Sequence, residues 1–265
     1  MFYRIGFFCL LCASLFGAEN VYLKTPNISS QEIIGTNVGI RPYRKSGVRL
    51  EAESLQDKLI IHNYGYGGSG LTLSFGGAKK VLEILDNQET PSKIVAVLGA
   101  GVVGLTTAYD LLEKGYEVHI YSDQWNPNLT SNVAVGIWTP LSFPLDISEE
   151  KKDLHQQMLK IAEERFFKST GTFPEFDGVK VMCYYRLITG THQDAINTTK
   201  PGEEVVVHFD NGVIKNGYRS YRLGIDGRLF MEDLYSKVRS KGAILHERNF
   251  KCIEDLLNLQ EKIIR

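Results

Sequence analysis

The sequence predicts an α/β fold, and three observations predict it. Residues 94–98 (IVAVL) are a short β-branched run ending at a glycine, as in a strand buried in a parallel sheet. Gly99, Gly101 and Gly104 then form G-x-G-x-x-G, and an apolar helix from about 102 to 114 follows. Residues 117–121 (EVHIY) make a second strand with Asp123 just beyond it. Together these form a Rossmann-like dinucleotide-binding unit. The first glycine permits the tight turn, the second lets a pyrophosphate approach the backbone, and the third lets helix and strand pack closely. The helix start aims free N–H groups and a positive dipole end at the phosphates. An acid about 20 residues past the turn accepts from a ribose hydroxyl. The plain alternative is a glycine-rich turn in some other α/β protein.

The chain of 265 residues holds one large or two small domains. Its net charge of −1 gives no bias toward polyanions, so nucleic acid is not expected as a partner. The six His and four Cys show no metal-site spacing, and no metal is expected.

Residues 1–18 stand apart from the fold. Arg4 supplies a positive charge, 5–16 are almost wholly apolar, and Gly17-Ala18 precede the polar Glu19-Asn20. This is the pattern of a secretory signal, so the expected location is periplasmic or extracellular. If uncleaved, the segment anchors the chain to a membrane or is a buried N-terminal element. Cys9 and Cys12 would leave with the signal, and the spacing of Cys183 and Cys252 does not establish a pair.

Residues 20–39 are polar and mixed, and little structure is assigned to them. Arg41, Arg44 and Arg49 follow close together, with Pro42 biasing Arg41 toward an extended backbone. A guanidinium there is suited to hold a carboxylate through two parallel hydrogen bonds, although a solvated basic loop has the same composition. Residues 59–63 (LIIHN) are a strand, 64–70 (YGYGGSG) a glycine-rich loop, and a helix then runs to about 85. This second strand, loop and helix start is suited to cradle another part of the same ligand, or is a flexible loop.

Farther on, 148–168 is an amphipathic helix with Leu154, Met158, Ile161 and Phe166 near helical spacing. Residues 179–187 and 203–209 are strands, and Asp210-Asn211-Gly212 turns between strands. His155, His192 and His208 show no partner in the sequence and are taken as structural or solvent-facing. A short helix is expected near 252–259.

Several of these segments resemble the D-amino-acid oxidase family. I-R-P-Y-R at 40–44, V-R-L-E at 48–51 and H-N-Y-G-Y-G-G-S-G-L-T at 62–72 are similar to that family's C-terminal signature. Residues 94–107 resemble its N-terminal flavin turn, and 121–140 (YSDQWNPNLTSNVAVGIWTP) the segment after it. Residues 218–241 are a fainter match to a strand and helix of its substrate domain. The resemblance implies a Rossmann-like FAD-binding domain with a partial mixed-sheet substrate domain. It implies FAD as cofactor, although the glycine turn alone would also serve NAD.

The resemblance further implies oxidative deamination of a D-amino acid to a 2-oxo acid, with ammonia and hydrogen peroxide released and oxygen as acceptor. Carried over by motif, Arg41 clamps the substrate carboxylate, the Gly68 backbone faces the substrate amine, and Thr139 lies at the pocket. Gly67, Gly68, Ser69, Gly70, Leu71 and Thr72 line the flavin. Gly99, Ala100, Gly101, Val102, Val103 and Thr106 meet the pyrophosphate. Asp123 and Gln124 lie at the ribose, with Thr130, Ser131, Gly136 and Ile137 nearer the flavin. Leu129 and Thr139 depart from the family's usual threonine and amide. No residue is assigned as an acid, base or nucleophile.

The motif order is reversed relative to the family, whose Arg-Pro and H-N-Y-G segments come last. This implies a circular permutation, with 1–18 as signal, 19–92 the C-terminal-like segment, 93–145 the FAD-binding segment and 146–265 a partial substrate domain; the alternative is a rearranged or broken gene. The family's N-C-T-G strand and tyrosine-bearing lid have no counterpart in 1–265. The expectation is therefore a truncated copy, or a chain completed by a second chain or a homodimer. The competing expectation is a non-catalytic or split-gene remnant that binds flavin or a partner.

Overall fold

The computed structural model describes residues 18–88, 92–138, 147–172, 174–188, 202–261 and 263–264. The signal assigned to 1–18, with Cys9 and Cys12, lies outside them but for Ala18, as do Thr139 and His192. Among the described residues no helix is long and apolar enough to cross a membrane. The chain folds as two units, one of residues up to Ile34 with Cys183–Tyr221, the other of Gly35–Met182 with Arg222–Arg265.

The larger unit is built on a six-stranded sheet. Its strands are β2 (Arg49–Leu55), β3 (Lys58–Tyr64), β4 (Ile94–Leu98), β5 (Glu117–Ser122), β9 (Ile244–Glu247) and β10 (Ile263–Ile264), in the order β2-β3-β10-β4-β5-β9. All pairings are parallel except β2 with β3. Val95, Ala96 and Val97 of β4 are fully buried, as a central parallel strand requires. β4 and β5 pair with Leu98 opposite Tyr121, so both strands end at the same edge, where the glycine turn and Asp123 emerge. That edge is where ligands of open α/β sheets bind.

Helices α1 (Gly70–Asp86), α2 (Val102–Glu113), α3 (Glu149–Lys168) and α4 (Gly227–Ser240) complete the unit. Phe75 of α1, Phe166 of α3, Phe230 of α4 and the loop residue Phe176 meet in one aromatic cluster. Their ring centroids lie 5.1–6.3 Å apart, and all four are almost wholly buried. Each such ring contributes roughly 2–3 kcal/mol of burial. α1 approaches α3 closely because Gly76 has no Cβ: one there would stand 2.1 Å from the Met158 carbonyl oxygen. Ser148 caps α3, its Oγ accepting from Lys151 N–H. The buried face of α3 is His155, Met158, Ala162 and Phe166, whereas the expected Leu154 and Ile161 lie at its margins. The small Ala162 lets α1 in, and the centre of the face follows it.

The smaller unit holds β1 (Glu19–Leu23), β7 (Glu203–Phe209) and most of β6 (Val179–Leu187) and β8 (Ile214–Ile225). These form a four-stranded sheet in the order β1-β7-β8-β6. Gly212 has φ +85° in the turn between β7 and β8, and Phe209 N–H donates to Val213 O at 2.9 Å. β1 corrects the assignment of little structure to 20–39: Glu19–Leu23 pairs parallel with Val205–Phe209. It is mostly exposed and held by the backbone ladder and by Arg219, which joins Glu19 and Glu203 at 2.6 Å each. A strand with so little buried surface leaves no alternation to detect. Cys183 and Cys252 are both free thiols.

Candidate functional site

The two glycine loops meet. A Cβ on Gly70, at the start of α1, would stand 3.4 Å from Val102 Cγ1 and 3.8 Å from Val103 Cγ2, at the start of α2. Both helices therefore begin side by side. Gly99 takes φ +100°, and no heavy atom lies within 4 Å of where its Cβ would be. The space over the turn is open, Gly101 offers no side-chain cap to α2, and the start of that helix borders this space, as an anion site at a helix N-terminus requires. Val102 N–H donates to Ser131 Oγ at 3.0 Å. This bond ties the 129–133 segment to the turn, while Asn132 braces that segment through Leu129 N–H at 3.1 Å and Asn126 Oδ1 at 2.6 Å.

The loop before α1 is shaped by three left-handed glycines, Gly65, Gly67 and Gly68 at φ +88°, +60° and +107°. Gly67 N–H donates to Pro42 O at 3.0 Å, and Tyr43 bridges Tyr66. This pairing lays Arg41 over Gly68, whose Cβ would stand 3.1 Å from Arg41 Cδ and 3.2 Å from Nη1. Behind the loop, Tyr66 OH donates to the buried Asn63 Oδ1, and Asn63 Nδ2 to Thr107 Oγ1 at 3.4 Å.

The three clustered arginines separate. Arg49 pairs with Glu51 at 2.5 Å and Glu53 at 2.9 Å, with Tyr64 OH at 3.4 Å. The Tyr64 and glutamate contacts raise its pKa above the ordinary arginine value. Glu53 also receives His62 Nε2 at 2.8 Å; His62 and then Arg49 hold its carboxyl below the usual range. Arg44 donates to Gly47 O and lies 5.6 Å over the Tyr64 ring. Arg41 has no carboxylate partner among the described residues and is exposed.

The other expected contacts are placed as follows. Ser69, Leu71 and Thr72 are buried in the first turn of α1, and Thr72 O accepts from Trp138 Nε1 at 3.2 Å. Thr106 is fully buried, its hydroxyl donating back to Val102 O at 2.8 Å. Ala100 is buried, and Val103 half-buried. Asp123 is exposed and accepts from Asn249 Nδ2 at 3.0 Å, while Gln124 O accepts from Ser122 Oγ. Gly136 takes φ +71° with its O accepting from Ile225 N–H at 2.7 Å, and Ile137 bridges Gly224. Thr130 packs by Gly39, whose Cβ would stand 3.0 Å from Thr130 Cγ2.

A family model described as FAD dependent oxidoreductase, DAO, matches residues 95–255, more than half of the chain. The chain belongs to this family. FAD is thus the cofactor of this oxidoreductase. The open turn at Gly99 and the close approach of Gly70 to Val102 fit a dinucleotide laid across both helix starts.

Among curated relatives, the FAD-dependent oxidoreductase is 43% identical over 60 residues to a D-amino-acid oxidase of Fusarium vanettenii. That alignment takes 22% of this chain and 17% of the relative. It is 47% identical over 57 residues to a D-amino-acid oxidase of Dictyostelium discoideum, over 21% of this chain and 16% of the relative. The matches thus span about one-sixth of these relatives. Among solved structures, glycine oxidase from Bacillus cereus is 16% identical at a TM-score of 0.38, covering 58% of this chain and 46% of its own. L-amino acid deaminase from Proteus vulgaris is 14% identical at 0.39, covering 60% and 40%.

One cluster in the oxidoreductase has no signature in the sequence. His119 of β5, His246 of β9 and Glu261, ahead of β10, lie with their ligand-type atoms within 4.8 Å of one another. The three are too far apart in the chain for a spacing rule to connect them; only the strand order does so.

Proposed function

We propose that this FAD-dependent oxidoreductase deaminates a D-amino acid oxidatively, giving the 2-oxo acid with ammonia and hydrogen peroxide. The observation that carries this is Arg41, a guanidinium with no carboxylate partner among the described residues, held over the Gly68 backbone beside the junction of the two glycine loops. A planar fork at that point suits a carboxylate, and the glycine backbone leaves room for the α-carbon and amine. When bound, FAD supplies the two-electron oxidation of the substrate α-carbon, with oxygen as the final acceptor. The chain's own residues bind and orient: Arg41 holds the carboxylate, the Gly67–Gly68 backbone borders the amine, and the α1 and α2 starts hold the dinucleotide. No side-chain base is required if the amine binds neutral.

The test is an absorbance spectrum of the purified chain followed by a peroxide assay with D-alanine, D-aspartate, glycine and the L-enantiomers. Flavin colour with peroxide from a D-amino acid supports the proposal. Flavin colour without turnover on any of them rejects it in favour of a non-catalytic flavin-binding chain.

We also infer that the motif order is a circular permutation. Its support is the short span between the end of α1 at Asp86 and the start of β4 at Ile94, with the two glycine loops side by side. A variant re-cut between these elements, with the order reversed by a linker, is expected to fold and keep flavin. Failure to do either argues against it.

A further inference from the structure

β5 and β9 pair in parallel with Tyr121 opposite His246 and His119 opposite Ile244. Glu117, His119 and Tyr121 share one face of β5 by strand alternation. His119 Nδ1 lies 3.0 Å from His246 Nε2 and 3.0 Å from Glu261 Oε1. The two imidazole rings are almost parallel at 11°, with centroids 5.2 Å apart. The two facing nitrogens are within hydrogen-bonding distance, the donor set by the tautomers. Tyr121 stacks on His246 at 4.3 Å and donates its hydroxyl to Glu261 Oε1 at 2.9 Å.

Two features point to a missing ligand. Glu261 is 5% exposed, and its Oε2 is buried with no hydrogen-bond partner among the described residues. Leaving a carboxylate oxygen so costs more than an ordinary unmade hydrogen bond. Glu117 Oε1 lies 2.9 Å from His119 Nε2, so the Nε2–H tautomer donates outward to a carboxylate and leaves Nδ1 as a lone pair facing Glu261. That carboxylate–imidazole relay is the outer support of many metal-bound histidines. A dication answers both.

We propose that His119, His246 and Glu261 bind a divalent transition metal of the zinc class. Two imidazoles and one carboxylate suit zinc and its neighbours rather than magnesium or calcium, which take oxygen ligands. Bonds of about 2.0–2.2 Å in a tetrahedral site separate ligand atoms by roughly 3.3 Å. The present separations of 3.0 Å to at most 4.8 Å bracket that value, so side-chain shifts alone complete the site. A water takes the fourth position. The bound ion ties β5 and β9 to the segment entering β10.

The experiment is calorimetric titration of the chelator-treated full chain with zinc chloride, magnesium chloride as control, and thermal melts with and without zinc. One equivalent of zinc binding at micromolar affinity or tighter, with a raised melting temperature and no response to magnesium, is expected. His246→Ala and Glu261→Gln should weaken zinc binding at least tenfold. Because both variants alter the sheet, Glu117→Gln, at a more exposed side chain, is the second variant and should weaken binding about tenfold without lowering the metal-free melting temperature. His208→Ala, in the other unit, should leave binding intact. Absence of zinc binding in the parent overturns the proposal, as does zinc binding of unchanged affinity in both His246→Ala and Glu261→Gln.

Discussion

Arg41 crosses directly over Gly68, so close that a Cβ on the glycine would stand 3.1 Å from the arginine's Cδ. If this arm holds a substrate carboxylate, Arg41→Ala should raise KM for the preferred D-amino acid about 10- to 100-fold, or roughly 1.4–3 kcal/mol. A fully buried fork would contribute more, but Arg41 is exposed. With no carboxylate partner among the described residues to lose, the variant should melt within a degree or so of the parent. Arg41→Lys should recover only part of the affinity, because an ammonium does not make the paired contact. Steady-state kinetics on the purified variants decide it.

Gly101 offers a separation of binding from folding. Its φ of −69° is open to any residue, and a Cβ there meets Ser131 Oγ at an ordinary 3.5 Å. Gly101→Ala should therefore leave stability almost unchanged while obstructing the approach of the pyrophosphate. The expected result is at least a tenfold loss of FAD affinity, read by flavin fluorescence, with an unshifted denaturation midpoint.

Gly136 offers the reverse. At φ +71° a Cβ would stand 1.8 Å from the Ile225 carbonyl oxygen, and that contact is backbone against backbone. Gly136→Ala should cost roughly 2–4 kcal/mol of stability in urea unfolding. The bridge between Ile137 and Gly224 would open with it.

Two buried groups titrate with opposite effect. Burial pushes the Asp110 carboxyl up to about 6, against the pull of Arg165. Between about pH 6 and 4 the folded chain holds a proton there that the unfolded chain has released, so this contribution to stability grows as pH falls. Burial pulls the His155 imidazole, beside Val48 and Met158, down to about 4. The unfolded chain takes up that proton near 6.5 and the folded chain refuses it, so this contribution is lost as pH falls through the same window. Relative to the parent, Asp110→Asn should lose about 1 kcal/mol on going from pH 7.5 to 5, and His155→Leu should gain about 2 kcal/mol. Urea denaturation at the two pH values measures both.

Much of the site was legible in advance because its signals are local. Gly99, Gly65, Gly67 and Gly68 take the left-handed conformations that a glycine-rich loop suggests, and α2 and α1 start where the loops end. β1 was not legible, since its ladder to β7 buries almost none of its side chains. Nor was the back-bonded burial of Thr106, because helical spacing does not say which hydroxyl turns inward.

Periodicity and glycine placement alone determined that this chain contains strand, turn, helix and strand arranged to receive a dinucleotide. That Arg49 and Arg44 take partners of their own while Arg41 has no carboxylate partner among the described residues, and that Ser131 takes the Val102 N–H, came only from the folded chain. So did the meeting of His119 with His246 across 127 residues. Backbone propensity acts over a few residues, whereas these contacts depend on which strands lie side by side and in what register.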